Sequence, residues 1–126
     1  MKSRTLLWVV WAVRILLVLG FLAAGSGKLT MNPVVLEMFA DWGYPPAFCF
    51  FIGVVETAGA ILILVPATSR YATIGLLIVM AGAIITHLIN DPPLEVVRPV
   101  IFSVFLTINL ILTAKVGKLK MDSMQQ

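Results

Sequence analysis

The chain has 126 residues, of which 60% are hydrophobic and 12% charged, and it carries a formal net charge of +3. A water-soluble domain of this length needs far more polar surface, so the composition points to a polytopic membrane protein. The basic residues sit at the ends of apolar segments, which suits orientation in a bilayer and gives no basis for nucleic-acid binding, and the single cysteine excludes an intramolecular disulfide or a Cys-x-x-Cys redox centre.

Lys2 and Arg4 precede an apolar run over 5–24. The run is too long for the apolar region of a signal peptide, and Arg14 interrupts it, so it is expected to be a retained first span. Phe21 and Lys28 follow Arg14 at seven-residue steps and would share its helix face if the helix continues that far. Gly25 and Gly27 are expected to loosen the helix end. Asn32 and Pro33 then have the types of an N-cap and a first helical residue. Positions 34–42 read as amphipathic, with Val35, Met38, Phe39 and Trp42 on one side and Glu37 and Asp41 on another. This segment is too short and too charged to span. It is expected to lie at the interface, anchored by Trp42 and Tyr44.

The second span, about 47–65, contains one residue that breaks its apolar pattern, Glu56. A carboxylate near mid-membrane must face protein and find a partner. Its neighbours at three and four positions, Ile52, Gly53, Gly59 and Ala60, are mostly small and allow close helix approach. Cys49, on the same span, is expected to pack as a small apolar residue. A loop over 66–70 leads to a third span, 71–90, whose far end carries Thr86, His87, Asn90 and then Asp91. His87, Asn90 and Asp91 share a face by their spacing. Asp91-Pro92-Pro93 breaks the helix. A fourth span, about 97–114, follows, with Pro99 near its start and Asn109 inside it. The tail over 115–126 carries Lys115, Lys118 and Lys120 and is expected to be solvated or to lie at the headgroups.

Four spans place both termini on one side. Lys2, Arg4, Arg70, Lys115, Lys118 and Lys120 fall there, whereas Lys28, Glu37, Asp41, Asp91, Glu95 and Arg98 fall opposite. The positive-inside rule then predicts cytoplasmic termini in a bacterial inner membrane.

Two polar constellations stand out. Arg14 and Glu56 both lie near the middle of their spans, and antiparallel packing predicts that they pair, as scaffold or as the lining of a headgroup pocket. At the outer end, Lys28, His87, Asn90 and Asp91 are expected to converge, near Glu95 and Arg98. A histidine beside a carboxylate can relay protons, bind a quinone carbonyl, or simply cap a helix. A metal site is not expected from one histidine without ligand spacing, and a bis-histidine haem cannot form within one chain. No nucleophile motif, phosphate loop or dinucleotide fingerprint is present. Trp8, Trp11, Phe48, Phe50 and Phe51 read as packing residues and interfacial anchors.

Taken together, these residues resemble the DoxX-like family of small four-span bacterial membrane proteins. The resemblance rests on Ala24-Gly25 and Lys28, on Phe39 and Gly43-Tyr44-Pro45, and on Glu56 with Gly59-Ala60. It continues through Pro66, Arg70, Ala81, His87, Asp91 and Pro99, so it covers almost the whole chain. The chain departs from the pattern at Asn90-Asp91, where relatives often carry Gly-Asp. The resemblance implies an all-α, integral-membrane four-helix bundle, with the short interfacial helix between spans one and two. Relatives include subunits linked to thiosulfate:quinone oxidoreduction and to membrane-associated oxidative-stress complexes. The expected role is a membrane component, non-catalytic by itself, that binds a lipid-like small molecule or a protein partner in the bilayer. The alternative is a quinone-reactive subunit of an oxidoreductase complex, with a quinone the only cofactor left open. A transporter of this size would need to form a homo-oligomer.

Overall fold

The computed structural model describes residues 3–125. Lys2, counted in the charge bias, lies outside them. Five α-helices form: α1 (Ser3–Leu29), α2 (Pro33–Asp41), α3 (Pro46–Ile63), α4 (Ser69–Asn90) and α5 (Val97–Met124), with a 3-10 turn, Pro93–Val96, before α5. The chain is all-α among the described residues. α1, α3, α4 and the unit of 3-10 turn and α5 are each long and apolar enough to cross a membrane.

Local chemistry sets the boundaries. The Val34 N–H donates to the Asn32 side-chain oxygen at 3.0 Å, and Pro33 opens α2 with the fixed φ that a first helical residue needs. Gly43, at φ +91°, makes the left-handed turn that lets the chain reverse into α3. Extended Asp91 and the two following prolines stop α4.

The four long helices form a ring: α1 packs on α3 and α5, and α4 also packs on α3 and α5. Val13, Leu17, Phe21, Ala60, Ile63, Leu76, Met80 and Leu106 fill its centre, with Phe102 tilted against Phe21 at a centroid distance of 4.9 Å. The outward faces remain apolar. Trp8, Ile78 and Ile89 are all more than two-thirds exposed, a surface that lipid solvates better than water.

Three sequence expectations are corrected. α1 does not end near residue 24; it runs on to Leu29 with Gly25 and Gly27 inside it. Gly25 is a contact point rather than a loosened end, because it lies against Gly53 and Thr57 of α3. α3 stops at Ile63, two residues short of the expected boundary. The tail continues α5 as helix to Met124 instead of leaving it at about residue 114.

The Gly25–Gly53 contact also fixes the register. Gly53 faces Lys28 and Leu29, and Gly25 faces Gly53 and Thr57. α1 is therefore shifted along α3 toward the end of the bundle that holds both chain ends, here the terminal end. α2 and the 3-10 turn sit at the opposite loop end. A Cβ on Gly53 would stand 2.8 Å from Lys28 Cβ and 3.0 Å from the Leu29 backbone nitrogen, neither of which yields easily. Gly53→Ala is expected to push α1 from α3 and cost about 1–3 kcal/mol, read as a lower melting temperature in detergent. Gly82→Ala, where a Cβ meets open space, should be neutral or mildly stabilising.

Candidate functional site at the loop end

Two polar centres lie toward the loop end of the bundle. At the rim, α2 and the end of α4 meet. Trp42 Nε1 donates to Asp91 Oδ2 at 2.9 Å, and His87 Nδ1 lies 2.7 Å from the same oxygen. A carboxylate only accepts, so Asp91 selects the tautomer with hydrogen on Nδ1. Nε2, across the ring, is then the nitrogen left to meet a ligand; among the described residues nothing hydrogen-bonds it. The Trp42 ring stands edge-on to His87 at 5.1 Å, which limits rotation of the imidazole. Behind this pair, the Tyr44 hydroxyl lies 3.0 Å from Thr86 Oγ1, and Phe39 packs among Trp42, Tyr44 and Phe48. The His87 and Asp91 side chains are 14% and 24% exposed, so the site is held by protein yet open to approach.

Deeper in the bundle, Lys28 of α1 and Glu56 of α3 form an ion pair. Lys28 Nζ lies 3.2 Å from one carboxylate oxygen and 3.3 Å from the other, and also donates to the Ala24 carbonyl at 3.3 Å. The Glu56 side chain is 3% exposed and that of Lys28 is 17% exposed. The close Gly25–Gly53 approach is what allows the lysine to reach the carboxylate.

The expected Arg14–Glu56 pair does not form. Arg14 Nε donates to Asn109 Oδ1 at 3.3 Å, Nη2 donates to Thr113 Oγ1 at 3.1 Å, and the Trp11 ring lies 5.0 Å from the guanidinium carbon. Register and side-chain direction both explain this. The α1–α3 contact sets Glu56 level with about Gly25, and Arg14 lies about three helical turns, roughly 16 Å, further along. Helical side chains also lean toward their own N-terminus. In antiparallel helices this carries Glu56 toward the loop end and Arg14 toward the terminal end.

The same lean divides the expected outer cluster. Lys28 turns back along α1 to Ala24 and Glu56, away from the rim. The Asn90 amide donates to Thr86 O within α4 and takes no part in the His87 contact. His87 and Asp91 do come together, one helical turn apart. Trp42, which reads in sequence only as an interfacial anchor, completes their site. Its one sequence signal was a position at the end of a short amphipathic segment on the same side of the bundle as the polar end of the third span, which does not by itself give the contact. Cys49 is buried and free. Among the described residues, no group of three His, Cys, Asp or Glu side chains comes close enough to hold a metal ion.

The model of the DoxX-like family matches residues 12–109, a stretch that includes α2, the Lys28–Glu56 pair, His87 and Asp91. The chain belongs to the DoxX-like family. A Bacillus subtilis (strain 168) protein, YdgD, described as uncharacterized, is 32% identical over 80 residues, covering 60% of this chain and 70% of the relative. No solved structure matches. For this DoxX-like chain, membership and the four apolar helices establish a multi-pass membrane protein.

Proposed function

We propose that this DoxX-like protein is a membrane component, a single four-span unit, that holds the polar head of a small lipid-like molecule at the loop-end rim and does no chemistry by itself. The observation that carries the reading is the shared Asp91 oxygen. One carboxylate oxygen engages both Trp42 Nε1 and His87 Nδ1, so the imidazole is oriented before any ligand arrives. A group held in this way can accept a hydrogen bond at Nε2 from a hydroxyl or, when protonated, donate one to a carbonyl. The aromatic residues Phe39, Tyr44 and Phe48 beside it offer an apolar wall for the remainder of such a molecule.

The alternative, a quinone-reactive subunit of a membrane oxidoreductase complex, draws on the same pair, since quinone carbonyls suit an imidazole donor. Redox chemistry would then need a partner protein to supply or remove electrons. Under either reading the chain sits in the bacterial inner membrane with cytoplasmic termini, and reporter fusions after Lys120 and within 37–43 test that orientation.

His87→Gln separates a helix cap from a functional group. Glutamine keeps hydrogen bonding but cannot take up a proton. The variant is expected to insert and melt within a few degrees of the wild type, yet fail to complement a deletion strain. Full complementation by a stable His87→Gln protein would remove His87 from the site.

A further inference from the structure

The terminal end of the bundle holds a polar centre of a different kind. Arg14 is 5% exposed, and all its hydrogen-bond partners are neutral. Among the described residues, no carboxylate lies within ion-pair distance of it; the ion pairs found involve Lys28 and His87. Its acceptor Asn109 is itself fully buried and donates to Thr73 Oγ1 at 2.8 Å, which donates to Ser69 O at 2.7 Å. Because Thr73 meets Asn109 across antiparallel α4 and α5, Ser69 stands one turn away, level with Thr113. Ser69 Oγ is fully buried and has no hydrogen-bond partner among the described residues. A guanidinium on α1 with a hydroxyl partner on α5 thus lies at the same level as an unpartnered buried hydroxyl on α4, with no carboxylate in ion-pair reach of the guanidinium among the described residues.

The depth of this centre matters. The register that sets Glu56 level with Gly25 carries Arg14 past the end of α3, level with the connection between α3 and α4. That connection, residues 64–68, closes the α3–α4 hairpin at the terminal end of the bundle. A groove of about 480 Å³ runs along α1 beyond it, lined by Ser3, Arg4, Leu7, Trp8 and Trp11. Trp11 is the residue stacked on the Arg14 guanidinium, so groove and buried cation share a wall. On the other side of Arg14, Ile15, Leu16 and Leu19 are more than half exposed and apolar. A lipid-facing strip therefore leads up to a cation, which is followed by a groove containing a second cation.

We propose that Arg14 is the anion receptor of a binding site for one acidic phospholipid from the terminal-side leaflet. The phosphate meets the guanidinium beside Trp11 and the Thr113 hydroxyl. The headgroup lies in the groove toward Arg4, and the acyl chains lie along Ile15, Leu16 and Leu19. Charge complementarity favours this occupant: a buried guanidinium flanked by neutral acceptors gains most from a bidentate oxyanion, and the second cation in the groove, Arg4, disfavours the choline cation of a zwitterionic lipid. The rim with His87 is at the opposite end of the bundle, so this site does not depend on the function proposed for the rim.

The test uses the full chain in detergent and in nanodiscs of phosphatidylcholine with or without phosphatidylglycerol. Native mass spectrometry counts retained lipids, and thermal unfolding reads the linked stabilisation. The wild type should retain one phosphatidylglycerol in preference to phosphatidylcholine and melt higher in its presence. Arg14→Gln should lose roughly tenfold of that preference, about what one charge-assisted contact supplies. Thr113→Val leaves the cation in place and should lose part of the preference, which keeps the test decisive if Arg14→Gln does not fold. Equal retention of both lipids by the wild type overturns the site. So does undiminished preference in Thr113→Val together with Arg14→Gln, or in Thr113→Val alone if Arg14→Gln is unfolded. Inorganic phosphate that reproduces the full stabilisation overturns the assignment to a lipid.

Discussion

Lys28→Ala is expected to lower stability by about 3–5 kcal/mol, because it leaves the Glu56 carboxylate, 3% exposed, without the cation that offsets its burial. The measurement is unfolding in detergent, by heat or by a denaturing surfactant. Glu56→Gln should be milder, since the amide still accepts a hydrogen bond from Lys28. The paired replacement Lys28→Leu with Glu56→Leu should recover much of the loss, because removing both charges removes both desolvation costs. Arg14→Leu with Glu56→Leu should instead show nearly additive losses. The two sites are separated by about three helical turns and share no partner. Strong coupling between Arg14 and Glu56 would contradict the register derived from the Gly25–Gly53 contact.

The second large effect is expected at Asn109. Its side chain accepts from Arg14 Nε and donates to Thr73 Oγ1, so it joins three helices through one amide. Asn109→Leu leaves the guanidinium with Thr113 as its remaining side-chain acceptor among the described residues and should cost about 2–3 kcal/mol. In a double-mutant cycle with Thr73→Val, the losses should be less than additive, since both changes sever the same chain of hydrogen bonds. Full additivity would show that the two act independently.

The sequence made some of this visible and hid the rest for identifiable reasons. The spans were legible because apolar runs of bilayer length are hard to mistake, and α2 because Asn32-Pro33 and Gly43 are strong local signals. Glu56 and Arg14 were legible as buried polar residues, since their types are costly in an apolar run. Their partners were not. Pairing depends on the stagger between α1 and α3, which Gly25 and Gly53 set through close packing; Gly53 reads as a close-approach residue, but Gly25, at a span's end, looks equally like a frayed terminus. Lys28 reads as a boundary residue until its lean toward Ala24 is known. Thr73 and Thr113 carry almost no signal, because a lone threonine in a membrane helix usually bonds its own backbone. Ser69 is buried for the same hidden reason, the facing of α4 against α5. At the rim, the i and i+4 spacing of His87 and Asp91 predicted their contact. Trp42 could not be placed, since it arrives through tertiary packing of a short helix.

The measurement that tests the central claim most directly is mass spectrometry of what the intact protein carries out of its own membrane. Wild-type protein, His87→Gln and Arg14→Gln are purified in parallel and their bound small molecules identified and quantified. Besides the acidic phospholipid assigned to Arg14, the account predicts that the wild type carries one further amphipathic molecule with a hydroxyl or carbonyl head. It should be depleted roughly tenfold in His87→Gln, the scale of one hydrogen bond to a positioned ring, and kept in Arg14→Gln. The same bound molecules in wild type and His87→Gln, at the same occupancy, would contradict a ligand site at the loop-end rim.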